Sequence, residues 1–265
     1  MKIAILYICT GKYNQFFKDF HKTAEEFLLQ SHHKEYYVFT DDVSIADHLS
    51  KEQKDCVHLR EKKCLGFPMD SLLRFETFLT VKNELLSYDY VYFFNANTLF
   101  LRPVGEEILP DESGIVAGVW EINDRRPNCF KPYEKRKQST AYIPPYDGPY
   151  RYVGGFMNGG TSRAYVEMAE ILAKNTQTDL SNGIIAAVHD ESHLNAYFHI
   201  NKGKCLPDYL CRPQEYGITA SNSIMLRDKV VLDSYFNKGR KFNITARMKK
   251  AYDMIVSAVK WYLYI

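Results

Sequence analysis

Apolar and polar positions alternate along this chain in long blocks of clear period. Lys2 to Cys9 is a continuous apolar run that stops at Thr10-Gly11, the pattern of a buried parallel strand meeting a loop. Residues 14 to 30 then carry Phe16, Phe17, Phe20, Ala24, Phe27 and Leu28 at helical spacing, with Lys18, Asp19, Lys22 and Glu25 between them. Tyr36 to Asp41 reads as a second strand with a polar end, and Val57-His58-Leu59 as a weak third. A second helix is predicted from about Asp70 to Leu86, capped by Asp70 or Ser71, with Leu72, Leu73, Phe75, Phe78, Leu79 and Leu85 on its apolar face. The run Tyr90 to Phe100, YVYFFNANTLF, follows as a buried strand that ends in two asparagines one residue apart. Strand and helix in alternation predict βαβ units and a mostly parallel sheet with ligands at its C-terminal edge. Cys9 to Tyr13, Thr40-Asp41 and Asn95-Ala96-Asn97 all fall at that edge.

Glu121 to Tyr152 has no period. It is polar, rich in Arg, Lys, Pro and Tyr, and too long for a plain connector. Tyr152 to Thr161 then places four glycines in ten residues before a helical stretch at Ser162 to Ala173. With no Gly-x-x-x-x-Gly-Lys spacing, these glycines are read as clearing side chains so that a ring can approach, rather than as a phosphate cradle. Ile184 to Val188 leads into His189-Asp190-Glu191-Ser192-His193 and a further helical pattern. By spacing alone this cluster is a capping device started by Asp190 or Ser192 and supported by Glu191; the order is not His-Glu-x-x-His, so zinc is not indicated.

With 265 residues the chain can bury one sizeable core, and a single domain over 1–236 with a tail over 237–265 is expected. Net charge is +2, from 34 basic and 32 acidic residues, which gives no field suited to nucleic acid. Six cysteines without Cys-x-x-Cys pairs indicate reduced thiols. The apolar start is too short for a spanning helix and lacks a cleavage site, so a cytoplasmic protein is expected. In the tail, Met248, Tyr252, Ile255, Val256, Val259, Tyr262 and Leu263 share one helical face, with Lys249, Lys250, Asp253 and Lys260 off it. Such a basic amphipathic helix suits a membrane interface, making the protein peripheral at the inner membrane, and equally suits docking on its own domain or on a second subunit.

Asn95 and Asn97 are predicted to share one side of an extended strand end. Alone they are also explained as turn chemistry. Together, however, YYVFTD at 36–41, FFNAN at 93–97, YEKR at 133–136, TAYIP at 140–144, GGFMNGG at 154–160 and HDESHLN at 189–195 resemble glycosyltransferase family 6. That family holds the histo-blood-group A and B transferases, the α-1,3-galactosyltransferases and bacterial relatives. The blocks match in order from Ile5 to about Tyr209. Asn-x-Asn in place of the metal-holding Asp-x-Asp looks like the bacterial branch, which works without a metal; a neutral carboxamide is also a weak ligand for hard divalent cations.

The resemblance implies an α/β GT-A fold, Rossmann-like, with a mostly parallel sheet flanked by helices and here a C-terminal helical tail. It implies transfer of N-acetylgalactosamine or galactose from a UDP-sugar to the 3-hydroxyl of a β-galactoside, usually fucosylated, with retention. The acceptor is an oligosaccharide or a lipid-linked glycan, and no cofactor is expected. On the donor side, Tyr13 matches the tyrosine that stacks on uracil, Arg74 an arginine near the donor, and Asn95, Ala96 and Asn97 the segment facing ribose and diphosphate. Asp190 matches the carboxylate that contacts sugar hydroxyls, and Glu191 the glutamate beneath the anomeric carbon, the catalytic position. IMLRDK at 224–229 resembles the basic stretch that closes over the diphosphate, with Lys229 first choice and Arg227 second. Trp120, His189 and Thr140 fall on the acceptor side.

Three departures bear on substrate. Val188 replaces a Trp of the relatives, Trp120 replaces a His, and YVGGFMNGG has one residue more between its glycine pairs than LGGFFGG-like relatives. Gly154 or Gly155 leaves room for an acetamido group and so favours N-acetylgalactosamine. A non-catalytic glycan- or nucleotide-binding relative, or a transferase for another UDP-sugar and acceptor, is the alternative.

Overall fold

The structure, a computed structural model, describes residues 1–232, 236 and 244–263. Its first half alternates strands and helices: β1 (Lys2–Cys9), α1 (Phe17–Phe27), β2 (His33–Thr40), α2 (Lys51–Asp55), β3 (Val57–Glu61), α3 (Met69–Leu72), α4 (Arg74–Leu79), α5 (Lys82–Leu85) and β4 (Tyr90–Phe94). There follow β5 (Thr98–Phe100), β6 (Ile115–Val119), α6 (Glu121–Asp124), β7 (Val153–Thr161), α7 (Ser162–Ser181) and α8 (His189–Asn201). The chain closes with β8 (Lys204–Leu206), β9 (Cys211–Pro213), β10 (Ile224–Leu226), α9 (Lys229–Leu232) and α10 (Ile244–Leu263).

Seven strands form the central sheet in the order β3-β2-β1-β4-β7-β6-β8. β3, β2, β1 and β4 run parallel, as do β6 and β8, while β7 is antiparallel to both its neighbours. Period two decides which layer each side chain joins. Ile3, Ile5 and Tyr7 of β1 pack on the α1 side with Phe16, Phe17 and Phe20; Ala4 and Leu6 face Phe75, Phe78, Tyr165, Met168 and Leu194 on the other side. Both faces are covered, so β1 reads as a continuous apolar run. Each large side chain buried there contributes about 1.5–3 kcal/mol. The α/β architecture and parallel sheet expected of a GT-A fold are therefore present. A small sheet, β5-β10-β9, lies beside the end of β4.

The helix expected from Asp70 to Leu86 is broken into α3, α4 and α5. Its breaks fall at Leu73 (φ −95°, ψ 15°) and Val81 (φ −116°, ψ 19°). Thr77 and Thr80 hydroxyls bond back to the Leu73 and Thr77 carbonyls, while the Thr80 and Val81 amides bond three residues back, to Thr77 and Phe78, so the second break is a tightened turn. Neither Asp70 nor Ser71 caps it: Pro68 holds the N-cap position without a side-chain bond, and the Asp70 carboxylate accepts from Lys62 Nζ at 2.6 Å and the Gly66 amide at 2.8 Å.

β7 is the glycine-rich block. The rings its glycines admit are the protein's own: a Cβ at Gly154 would meet the Phe156 ring at 2.4 Å, and one at Gly159 the Tyr92 ring at 2.2 Å. The tail forms the expected helix, and it is docked. Trp261 is buried and donates from Nε1 to the Ile143 carbonyl at 2.7 Å. Tyr264 and Ile265 lie outside the described residues.

Candidate active site

Three chain segments meet at the C-terminal edge of the parallel strands. After β1, the turn at Gly11–Phe16 carries Tyr13. Asp41, just past β2, holds that turn by accepting from the Gly11 amide at 2.9 Å and from Asn14 Nδ2 at 2.8 Å. After β4, Asn95 to Thr98 form a tight turn closed by the Thr98 amide on the Asn95 carbonyl. The asparagines thus sit in a turn and not on an extended end, as the alternation had suggested. Asn97 is buried and its Nδ2 donates to the Arg227 carbonyl at 2.7 Å, while the Arg227 amide donates to the Asn97 carbonyl at 2.9 Å. Ala96 is buried too; its carbonyl accepts from the Tyr7 hydroxyl at 2.8 Å.

These segments line a cleft of about 680 Å³ that shares Tyr13, Arg74, Asn95, Asn97 and Lys229 with a smaller cavity of about 180 Å³. Such volumes are those of small-molecule sites. The small cavity reaches Thr10, Gly11 and Phe93; the large one extends to Trp120, Gly155, Val188, His189, Asp190 and Glu191.

The carboxylates come from the first turn of α8. No side chain caps this helix; Ser192 Oγ instead accepts from the Val188 amide at 2.8 Å. Asp190 and Glu191 are thereby released from the capping role that spacing assigned them. Arg74 Nη1 lies 3.2 Å from Asp190 Oδ2 and donates to the Gly155 carbonyl at 2.5 Å. Glu191 is gripped at both oxygens, by the Tyr152 hydroxyl at 2.5 Å and the Gly155 amide at 2.6 Å. Burial pushes the Glu191 carboxyl up to about 7, against the pull of those two donors, and the Asp190 carboxyl up to about 6, against the pull of Arg74. Two adjacent acids so shifted in a cleft mark a functional site.

On the nucleotide side, Lys229 Nζ donates to the Tyr13 hydroxyl at 3.2 Å and lies 5.1 Å from its ring centroid. Phe236 meets the Tyr13 ring edge-on at 4.9 Å. Arg227 is committed elsewhere: its Nη1 pairs with Asp19 at 2.7 Å and its guanidinium lies over Phe16. On the far side, His189 adopts φ 52°, a strained conformation for a residue with a side chain, and its ring meets Phe67 at 4.8 Å. Trp120 packs on Phe156 at 5.5 Å.

Two expected residues line neither the cleft nor the smaller cavity, while Ala96 lines the smaller one alone. Gly154 lies against Phe156 and Trp120, so only Gly155 opens onto the carboxylates. Thr140 is fastened to α7 through Asp179 and the Asn175 carbonyl. The YEKR block is architectural as well: buried Glu134 accepts from Arg136 and from the Ala187 amide, fixing the segment that leads into α8. Sequence reasoning missed Tyr152, Ser71, Phe67 and Phe236. Only Tyr152 carried a signal, its place three residues before Gly155.

As a metal site the turn after β4 is poor: residues 95–98 offer carboxamide, hydroxyl and backbone oxygens and no carboxylate. Among the described residues, no helix is long and apolar enough to cross a membrane.

A family model described as Glycosyltransferase family 6 matches residues 1–231. The chain is 35% identical over 229 residues to the O-antigen biosynthesis glycosyltransferase WbnI of Escherichia coli, a match covering 86% of this chain and 95% of that one. It is 31% identical over 223 residues to the human Globoside alpha-1,3-N-acetylgalactosaminyltransferase 1, covering 79% of this chain and 61% of that protein. It is 30% identical over 203 residues to the rat Histo-blood group ABO system transferase 1, covering 76% and 57%. The match thus spans 57–61% of the length of these two mammalian relatives.

Proposed function

The chain belongs to glycosyltransferase family 6, and we propose that it is a retaining, metal-independent α-1,3-glycosyltransferase that moves N-acetylgalactosamine or galactose from UDP to the 3-hydroxyl of a β-galactoside, typically fucosylated. The glycosyltransferase activity follows from the family and its relatives. The observation that carries the finer reading is the pair Asp190-Glu191 on the wall of a cleft that also holds Lys229 and Tyr13.

Transfer breaks the bond from the anomeric carbon to the diphosphate oxygen and forms one to the acceptor oxygen, whose proton passes to the diphosphate oxygen just released. Negative charge grows on the leaving diphosphate, and positive charge grows on the sugar ring. Glu191, held anionic by two buried donors above pH 7, is suited to the ring; Asp190 is suited to its hydroxyls. Tyr13 offers a face for uracil. Lys229 meets the leaving diphosphate, the task a metal performs in Asp-x-Asp enzymes. Metal independence is supported by the chemistry of Asn95 and Asn97, neutral carboxamides where a hard cation prefers carboxylate oxygen. The reading of N-acetylgalactosamine as donor rests on a glycine at 155, where a Cβ would come within 3.1 Å of Asp190 Oδ2 and 3.4 Å of Glu191 and so crowd the acids that face the sugar. Trp120, His189 and Phe67 offer ring faces to an acceptor, an oligosaccharide or a lipid-linked glycan.

The test is product analysis. With UDP-N-acetylgalactosamine or UDP-galactose and a fucosylated lactose acceptor, NMR of the product is expected to show a new α linkage at the galactose 3-position. A β linkage, or a linkage at another hydroxyl, overturns the reading.

A further inference from the structure

Helix α10 is attached along one side and bare along another. Ala258 and Trp261 are buried, and the Tyr146 hydroxyl donates to the Tyr262 carbonyl at 3.3 Å. Met248, Tyr252, Ile255, Val259 and Leu263 are 69%, 68%, 54%, 52% and 60% exposed. Their spacing of four, three, four and four residues puts them in one row along about 22 Å of helix. Lys249 and Lys260 are exposed on the same helix, with Asp253 its single acid. The sequence from 237 to 250 adds Lys238, Arg240, Lys241, Arg247 and Lys250, and no Asp or Glu.

We propose that this face of α10 seats the protein on an anionic bilayer surface. A regular apolar row in water is unfavourable unless something covers it. The charge of the tail selects the cover: Lys249 and Lys260 beside the row, in a basic stretch of sequence, complement anionic headgroups, whereas a second copy of the same helix would set lysines against lysines. Tyr252 pairs an apolar ring with a polar tip, which suits the headgroup boundary. The helix lies on the surface and does not span it. Trp261 ties it to Ile143 in the 121–152 segment, which runs on to Tyr152, the buried partner of Glu191, so lipid contact and the support of the active site share one piece of chain. None of this depends on which sugar is transferred.

Full-length protein is sedimented with phosphatidylcholine vesicles, with or without phosphatidylglycerol, beside Ile255→Ser/Val259→Ser and Lys249→Glu/Lys260→Glu variants. The wild type is expected to pellet with phosphatidylglycerol vesicles only and to be released by salt. Each double variant should lower the partition coefficient about tenfold or more, with UDP release on a soluble acceptor unchanged. Wild type that stays in the supernatant with anionic vesicles overturns the proposal, as does equal pelleting of both variants. A dimer in light scattering that Val259→Asp disperses also overturns it, since the face is then covered by a second copy.

Discussion

The Tyr152 hydroxyl donates to Glu191 Oε1 at 2.5 Å from a ring with no exposed surface. Burial and the neighbouring carboxylate keep this phenol protonated far above neutrality, so it remains a donor through the working range. Tyr152→Phe removes one of the two bonds that stabilise the Glu191 anion. The carboxyl should then rise further above 7, and the acidic limb of the kcat profile should move to higher pH. A stability loss of about 1–3 kcal/mol should accompany it. A pH-rate profile unchanged in the variant would show that Tyr152 is only packing.

Glu191 also weakens the fold as it ionises. Its folded-state carboxyl is raised from 4.5 to about 7, so between those values the native protein keeps a proton that the unfolded chain has lost. Stability from this group is complete below 4.5 and declines as pH rises through 7, by on the order of 3 kcal/mol. Asp190, raised from 3.8 to about 6, acts in the same direction over a lower window. Urea unfolding should therefore show Glu191→Gln gaining on the wild type as pH rises from 5 to 8. A stability gap that does not change with pH contradicts a raised carboxyl.

Arg74 is the single cation within 4 Å of Asp190 among the described residues, at 3.2 Å, and both side chains are buried. Arg74→Ala strands a buried carboxylate and should destabilise the protein by about 3–5 kcal/mol. Asp190→Asn in the same chain should recover part of that loss. The double-mutant cycle measures the coupling, and strict additivity would mean that the pair does not interact.

Asn97 donates from Nδ2 to the Arg227 carbonyl two residues before Lys229. Aspartate cannot make that bond. Asn97→Asp is therefore expected to loosen the strand end that presents Lys229 and to raise the donor KM about tenfold, with no rescue by Mn2+. Rescue by Mn2+ would mean that the position remains a metal site.

The sheet was legible because β1 and β4 are buried on both faces and spell it out as continuous apolar runs, and because Asp190-Glu191 stands out between apolar stretches. The breaks at Leu73 and Val81 were not legible, since no Gly or Pro marks them inside an otherwise helical pattern. Tyr152 is one of twenty tyrosines and meets Glu191 across 39 positions, a pairing only the β7–α8 contact creates. Thr140 drew attention through its motif, yet its partner Asp179 lies in a helix whose length, Ser162–Ser181, exceeded the reading to Ala173. The face buried by α10 was also hidden: the apolar row picked out by periodicity is largely the exposed one, while Ala258 and Trp261 carry the docking.

Acceptor-dependent UDP release from UDP-N-acetylgalactosamine in excess EDTA, compared between wild type and Glu191→Gln, bears most directly on metal-free transfer at Glu191. Turnover that persists in EDTA and falls at least about a thousandfold in the variant, with donor binding retained, is the expected result. Turnover that requires added Mn2+, or that survives the loss of Glu191, would contradict it.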